Sequence, residues 1–483
     1  MDLFRKKIPP REGAIGLRKC LGAWDLTLLG IGTIIGTGIF VLPGVVAATQ
    51  AGPAIILSFV VAGIACAFVA LAYAELAASV GGCGGAYGYA YALFGELIAW
   101  IIGWNLVFGM CVGVAATANG WSGYLDNAMA SFGINLPDFL TRGPSAGGLV
   151  NLPVAIILAL MALLLAGVRQ FATLNGTIVL IKLTAIAIFI GVALFHIRPS
   201  LWQPFMPFGW LSYAPEGTTA GVLSGAASVV LAYSGFQLVS SAVEEARNPQ
   251  RDLPIGILAA LAICTLLYIA VSGLLTAIAP YATLNVSSPI AFALLQVGID
   301  WGSALVAVGV IVGLTSTMLV GLYAMTRFLF AMARDGLMPN FLGRISADTQ
   351  VPASATILCG VATAAIAGLA PFGALVGLRS VTILAEFALV CGGVVVLRLT
   401  RPDMERPFKI PGGLILPMLG ALSSLALIGF LPAQRLLLFL LWLAVGVFVY
   451  FGYAARRISS AATPILDPAS DSASVGPSPL RRL

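Results

Sequence analysis

An all-α polytopic membrane protein is the fold class that this sequence predicts, and three observations carry the prediction. Of the 483 residues, 60% are hydrophobic and only 9% are charged, whereas an ordinary soluble domain has about 25% charged residues. Apolar runs of roughly 17–25 residues, long enough to cross a bilayer as a helix, recur from end to end. Lysine and arginine gather on one alternating set of connecting segments. Such a composition cannot wrap a water-facing surface around one core.

The runs predict twelve transmembrane helices, at about 23–47, 53–78, 92–118, 150–167, 172–196, 217–243, 254–279, 300–332, 353–369, 380–398, 411–431 and 434–455. The eighth is long enough to continue past the bilayer. The segment "SSPIAFALLQVG" before it is too short to span and reads as an external helix. The chain after Arg457, rich in Ser, Pro, Ala and Asp, reads as a disordered tail.

The basic residues set the orientation. With both termini in the cytoplasm, six of them (Arg5, Lys6, Lys7, Arg11, Arg18 and Lys19) precede the first span. Cytoplasmic segments then add Arg169, Arg247, Arg251, Arg327, Arg334, Arg344, Arg398, Arg401, Arg406, Lys409, Arg456, Arg457, Arg481 and Arg482. Only Arg142, Arg198, Arg379 and Arg435 fall on the external side, and Lys182 lies within a span. Twenty against four excludes the opposite orientation. The expected location is the cell (inner) membrane, with membrane lipid as a partner. The net charge of +6 follows from the cytoplasmic loops and needs no nucleic-acid partner.

The basic N-terminal segment leads straight into a full apolar run, so no cleaved signal peptide is read. Seven cysteines at irregular spacing (Cys20, Cys66, Cys83, Cys111, Cys264, Cys359 and Cys391) form no C-x-x-C pair and read as small buried hydrophobes. The single histidine, His196, reads as interfacial at the outer end of the fifth span. Without a Ser/His or metal-ligand cluster, neither an enzyme nor a metal or other cofactor is expected.

The stretch "LGIGTIIGTGIF" places four glycines (Gly30, Gly32, Gly36 and Gly38) within nine positions of the first span. In hydrocarbon, a loosened backbone exposes N–H and C=O groups that cost several kcal/mol each unless protein or a polar guest meets them. The sixth span is also interrupted, at Ser234 and Gly235 in "VVLAYSGFQLVSSAVEEARNP". Interrupted helices at corresponding places in two halves point to a transporter site near the bilayer midplane. Free N–H groups after a break suit a carboxylate, and carbonyls before it suit an ammonium. Together they read the two backbone charges of an amino acid. Close helix packing at pairs such as Gly32 and Gly36 competes with this reading. A phosphate loop is excluded, because no strand precedes the glycines and no suitably placed lysine follows.

The stretches "LGAWDLTLLGIGTIIGTGIFVLPG", "AGPAIILSFVVAGIACAFVALAYAELA", "GELIAWIIGWNLV" and "EEARNPQRDLPIGI" resemble the amino acid–polyamine–organocation superfamily. The closest likeness is to its bacterial branch related to cationic amino acid transporters. The resemblance covers about residues 15–460. It implies the LeuT-type fold, two inverted five-helix repeats with discontinuous first and sixth helices, plus two further helices. It divides the chain into a cytoplasmic segment 1–20, a transporter domain 21–455 and a cytoplasmic tail 456–483. Within the domain, the first repeat covers about 21–198, the second about 210–400 and the last two helices about 411–455. It also implies secondary transport of amino acids, commonly coupled to protons.

Carried over, the carboxylate site falls on backbone N–H groups of Thr33, Ile34, Gly36, Thr37 and Gly38, with the Ile31 carbonyl facing the amine. The sixth-helix break carries over as the carbonyls of Leu231, Ala232 and Ser234, beside Tyr233, Gly235 and Phe236. Phe236 reads equally as a packing aromatic. The resemblance gives Lys182 the place of the sodium site of sodium-coupled relatives, its ammonium approaching first-helix carbonyls. A buried lysine can exchange its proton, which suits coupling; the competing reading is a lysine reaching back to the interface.

Glu75 reads as an arginine partner or a gate, Glu244 and Glu245 as solvated loop residues. Glu386 is an intramembrane carboxylate and hence a functional candidate. The cationic branch often carries an acid in the third span and another after the sixth-helix break; here those places hold Gly109 and Gln237. Their absence favours neutral over cationic substrates. The expected function is proton-coupled uptake of neutral amino acids by alternating access. The alternatives are an amino acid or amine exchanger and a cationic amino acid permease. A channel or sensor lacks support from any continuous polar face or added soluble domain.

Overall fold

The computed structural model describes residues 21–80, 85–131, 133–141, 151–167, 171–213, 219–240, 246–346, 351–404 and 406–454. Cys20, Cys83, Arg142, Arg169, Glu244 and Glu245 lie outside the described residues, as do the segments 1–20 and 455–483. Eight of the described helices are long and apolar enough to cross a membrane, and four shorter apolar helices accompany them.

The chain opens with α1 (Ala23–Ile34), α2 (Thr37–Phe40) and α3 (Leu42–Val46), which a wide turn and a tight turn join to α4 (Ile55–Val80). There follow α5 (Gly85–Leu93), α6 (Glu96–Ser131), α7 (Asp138–Thr141), α8 (Leu152–Leu165) and α9 (Phe171–Leu194). A short antiparallel pair, β1 (Ser212–Tyr213) and β2 (Thr219–Ala220), sets Ser212 opposite Ala220. Next come α10 (Val222–Val229), α11 (Phe236–Val239), α12 (Pro249–Ile278), α13 (Pro289–Gln296) and α14 (Asp300–Arg334). The last are α15 (Ala353–Leu369), α16 (Phe372–Thr400), α17 (Ile415–Gly429) and α18 (Ala433–Val449).

Two of the described helices extend furthest past their apolar runs. The third run becomes the 36 residues of α6, about 54 Å at 1.5 Å per residue, against a hydrocarbon core of about 30 Å. The tenth begins at Phe372, so Arg379 is not an external-loop residue. It lies inside α16 and is buried. The cause is local: the run is cut at the charge of Arg379, yet Phe372, Leu375, Val376 and Leu378 before it are apolar and continue the helix.

The core is helix on helix. The long α6 and α14 run along each other, α1 packs on α12, and α4 sits against α12, α16 and α17. Phe59, Tyr233 and Tyr268 form one aromatic knot at its centre, with ring centroids 5.1–6.4 Å apart. The start of the chain is tied in as well, since the Arg247 N–H donates to Leu21 O at 2.8 Å. The described cysteines Cys66, Cys111, Cys264, Cys359 and Cys391 are free and buried.

Candidate functional site

The first helix ends at Ile34 because the next two residues leave the helical region: Ile35 has ψ 107° and Gly36 has φ −159°. The chain then re-enters a helix at Thr37. The sixth-span region narrows from α10 into a tight turn over Val230–Tyr233 and breaks at Ser234 and Gly235. Gly235 has φ +133°, a conformation that L side chains rarely adopt. The Gln237 side chain caps this break by accepting the Gly235 N–H at 2.8 Å.

The two breaks face each other. A Cβ on Gly235 would lie 2.5 Å from Thr33 O, and a Cβ on Gly38 would lie 2.4 Å from the Ala232 Cα. Close backbone approach therefore requires glycine at both positions. At Gly38 the space belongs to the Ala232 backbone. The Thr33 hydroxyl reaches across to Gly235 O at 3.2 Å, with Gly30 O at 2.9 Å as its local partner. The Tyr268 hydroxyl on α12 lies 2.6 Å from Ala232 O and 3.2 Å from Ile34 O, so one O–H bridges the carbonyl ends of both interrupted helices.

Four of the carbonyls at the end of α1 have partners of the kind a broken helix in an apolar core requires. Ile31 O accepts from Ile35 N–H at 2.9 Å, and Ile34 O faces Tyr268. Gly32 O and Ile35 O take the ammonium of Lys182, at 3.4 and 3.0 Å. Lys182 is 2% exposed, and its third contact is the Thr317 hydroxyl at 3.0 Å. Its stem crosses α14 at Gly313, where a Cβ would stand 2.8 Å from Lys182 Cγ. Three neutral acceptors thus meet the three donors of the ammonium.

The remaining candidates are placed as follows. Thr37 donates to Thr117 of α6 at 2.8 Å. Leu231 O accepts from Ser234 N–H at 3.0 Å, and Ser234 is half-buried. Tyr233 points away from the breaks and donates to Phe59 O at 2.8 Å. Phe236 is buried between Tyr73 and Phe387, at 5.8 and 5.3 Å between centroids. Glu386 stands behind that aromatic group; Oε1 takes the Tyr73 hydroxyl at 2.6 Å, while Oε2 is buried without a hydrogen-bond partner. His196 sits at the end of α9 with Nδ1 3.0 Å from Val192 O.

Glu75 is remote from the breaks. It is fully buried, pairs with Arg398 through both oxygens (Nε to Oε1 2.8 Å), and accepts Ile410 N–H at 2.8 Å. This clamps α4 to α16 and to the segment after it.

Gly109 lies under a cation. A Cβ there would be 2.5 Å from Arg379 Nη1, and one on Gly113 would be 3.3 Å from Arg379 Nε. Arg379 is 4% exposed, and among the described residues its guanidinium has one hydrogen bond, to Thr382 Oγ1 at 3.4 Å. Asn105, Gly109, Gly113 and Thr117 share one face of α6, four residues apart. Arg379 therefore lies about one turn from the Thr117–Thr37 contact. Sequence reasoning missed Tyr268, Thr317 and Arg379. The available signals were weak: a tyrosine and a threonine within apolar runs, and an arginine among glycines.

Residues 21–448 match the model of the amino acid permease family. The chain is 43% identical to a methylthioribose transporter of Bacillus subtilis, over 94% of this chain and 98% of that protein. It is 42% identical to a branched-chain amino acid permease of the same organism, with the same shares covered. It is 39% identical to a vacuolar cationic amino acid transporter of Arabidopsis thaliana, over 81% of this chain and 65% of that protein.

Proposed function

This chain belongs to the amino acid permease family, within the amino acid–polyamine–organocation superfamily, and is a multi-pass membrane transporter rather than an enzyme; on that premise we propose that it imports neutral amino acids by proton-coupled alternating access. The observation that carries this reading is the junction of the two breaks under Tyr268, with Lys182 bound to the first of them. In this reading the chain has twelve spans in a LeuT-type arrangement of two inverted repeats. Both termini lie in the cytoplasm, as the lysine and arginine bias supports.

The substrate carboxylate takes the N–H groups at Gly36–Gly38, and the amine takes carbonyls at Leu231, Ala232 and Ser234. Tyr268 and Thr33 then hold the emptied breaks together until substrate replaces their bonds. Lys182 is the coupling group. Protonated, its ammonium holds Gly32 O and Ile35 O and keeps the first helix in its broken, binding-competent shape. Neutral, it has fewer donors to offer, and the first helix is released towards the cytoplasm. A proton shifts such an equilibrium only through its different affinity for the two states.

Neutral substrates fit the electrostatics. The buried Arg379 guanidinium over Gly109 repels a cationic side chain, whose own desolvation costs several kcal/mol without a partner. The relative named as a branched-chain amino acid permease supports leucine, isoleucine and valine as first choices. A second reading rests on the relative named as a methylthioribose transporter: a neutral thio-sugar without a carboxylate would use the same breaks through its hydroxyls. The test is uptake into proteoliposomes, acid outside and neutral inside, of labelled leucine, valine, alanine, arginine and methylthioribose. Gradient-driven accumulation of the aliphatic amino acids is expected. Accumulation of arginine or methylthioribose alone would overturn the assignment.

A further inference from the structure

Arg379 and Glu386 stand two turns apart on one face of α16, and both are buried, at 4% and 1% exposed. Thr382 lies between them on that face and ties it to α6, since the Asn105 amide donates to Thr382 O at 2.9 Å. These groups have hydrogen-bonding capacity to spare. A guanidinium carries five N–H donors, and among the described residues this one makes a single long bond, to Thr382 Oγ1. Asn105 Oδ1 and Glu386 Oε2 are buried acceptors without a hydrogen-bond partner. Arg379 and Glu386 thus act on each other through the field rather than through a bond.

The two charges flank the two helix breaks. Arg379 lies along Gly113 and over Gly109 on α6, about one turn from Thr117, which holds Thr37 beside the first break. Glu386 lies behind the second. Tyr73 donates to it at 2.6 Å, and the Tyr73 ring packs on Phe236, the residue after Gly235. An O–H···O contact that short falls in the range of an ionised acceptor. Phe387, next to Glu386 in the chain, also packs on Phe236.

We propose that Glu386 is a specificity-determining residue of the transport site: its carboxylate offsets the Arg379 charge and thereby keeps acidic amino acids out. A lone guanidinium beside the site would draw an acidic side chain as strongly as it repels a basic one. With the carboxylate present, an ionised side chain of either sign gains no attraction to offset its own desolvation. Over roughly 10 Å, at an effective dielectric of about 20, one uncompensated charge changes affinity about ten- to twentyfold. The inference rests on the neutral amino acid reading and names what excludes acidic substrates. Glu386 touches no substrate in this role; it acts through Arg379.

The test measures competition by L-glutamate and L-arginine against gradient-driven uptake of tritiated L-leucine. It uses proteoliposomes of full-length wild type, Glu386→Gln, Arg379→Met and the double substitution. Glu386→Gln retains an acceptor for Tyr73 and is expected to strengthen glutamate competition about tenfold, with the leucine KM within about threefold of wild type. Arg379→Met should favour arginine instead, and the double substitution should return both competitors to their wild-type weakness. A loss of leucine affinity in step with both competitors would mark a packing role and overturn the proposal. An unchanged glutamate-to-leucine ratio in a folded Glu386→Gln would overturn it too, and leave the neutral amino acid reading standing. Should that variant not fold, the other two decide: an arginine gain absent from Arg379→Met, or one that persists in the double substitution, would overturn it as well. Wild type that prefers arginine or glutamate, or transports no amino acid, would bring down the neutral amino acid reading and the proposal together.

Discussion

Lys182 and Glu75 are both charges sealed inside the helix bundle, 2% and 0% exposed, yet their surroundings differ in kind. Lys182 has only neutral partners: two carbonyls of the first break and one hydroxyl. Glu75 has a full ion pair with Arg398 and a backbone N–H. A charge among neutral acceptors can lose its proton without stranding a counter-charge. A buried ion pair cannot, because removing one charge leaves the other desolvated. The first arrangement suits a group that titrates during a cycle, the second a group that holds helices in register.

Substitution at each position tests this contrast, beginning with the largest effect. Lys182→Ala should abolish gradient-driven accumulation, at least a tenfold loss, while exchange at symmetric pH survives. Uptake in proteoliposomes with and without the gradient measures both. Wild-type gradient dependence in the mutant would move coupling elsewhere, first to Glu386.

Glu75→Gln should act on the fold rather than on coupling. Breaking a buried pair from one side costs about 3–5 kcal/mol, so the purified mutant should melt well below wild type. The double substitution Glu75→Leu with Arg398→Met should recover much of that loss. A destabilised Glu75→Gln that retains gradient-driven uptake would sharpen the contrast. A stable one that loses coupling would reverse it.

Arg379→Met sharpens the comparison from a third side, since this cation lacks the three acceptors of Lys182 and feels the Glu386 carboxylate electrostatically rather than through a hydrogen-bonded pair like that of Glu75. Competition by arginine against leucine uptake should strengthen about tenfold, with leucine affinity changed much less. Equal weakening of both would mark Arg379 as a packing residue. Tyr268→Phe should have the smallest effect. It removes a neutral hydrogen bond worth about 1 kcal/mol, so leucine affinity should change no more than about fivefold by equilibrium binding.

Both breaks were legible in the chain itself, since dense glycine in an apolar run and a Ser-Gly step in another are local signals of backbone irregularity. Lys182 was legible for a related reason, because a lysine twelve residues into a helix of 24 has no local explanation. The partners were not legible. Thr317 reaches Lys182 across 135 positions, and Tyr268 reaches Ile34 across 234. Arg379 was misplaced because a charge next to an apolar run reads as its end, whereas α16 starts seven residues earlier and carries the arginine inside the helix.

The sequence alone determined what local chemistry determines: apolar runs that must become helices in lipid, two places where those helices fail, and one cation stranded in hydrocarbon. Composition suffices there because an unmet backbone group or charge in an apolar medium is costly wherever it falls. Only the tertiary structure decided which groups meet that cost. It put α14 beside α9, so that Gly313 admits the lysine stem and Thr317 its head. It brought Gly38 against Ala232 and Gly235 against Thr33, so that two breaks 200 residues apart share one hydroxyl from α12. Contacts of that range follow from how helices pack as bodies, and no stretch of either helix encodes them separately.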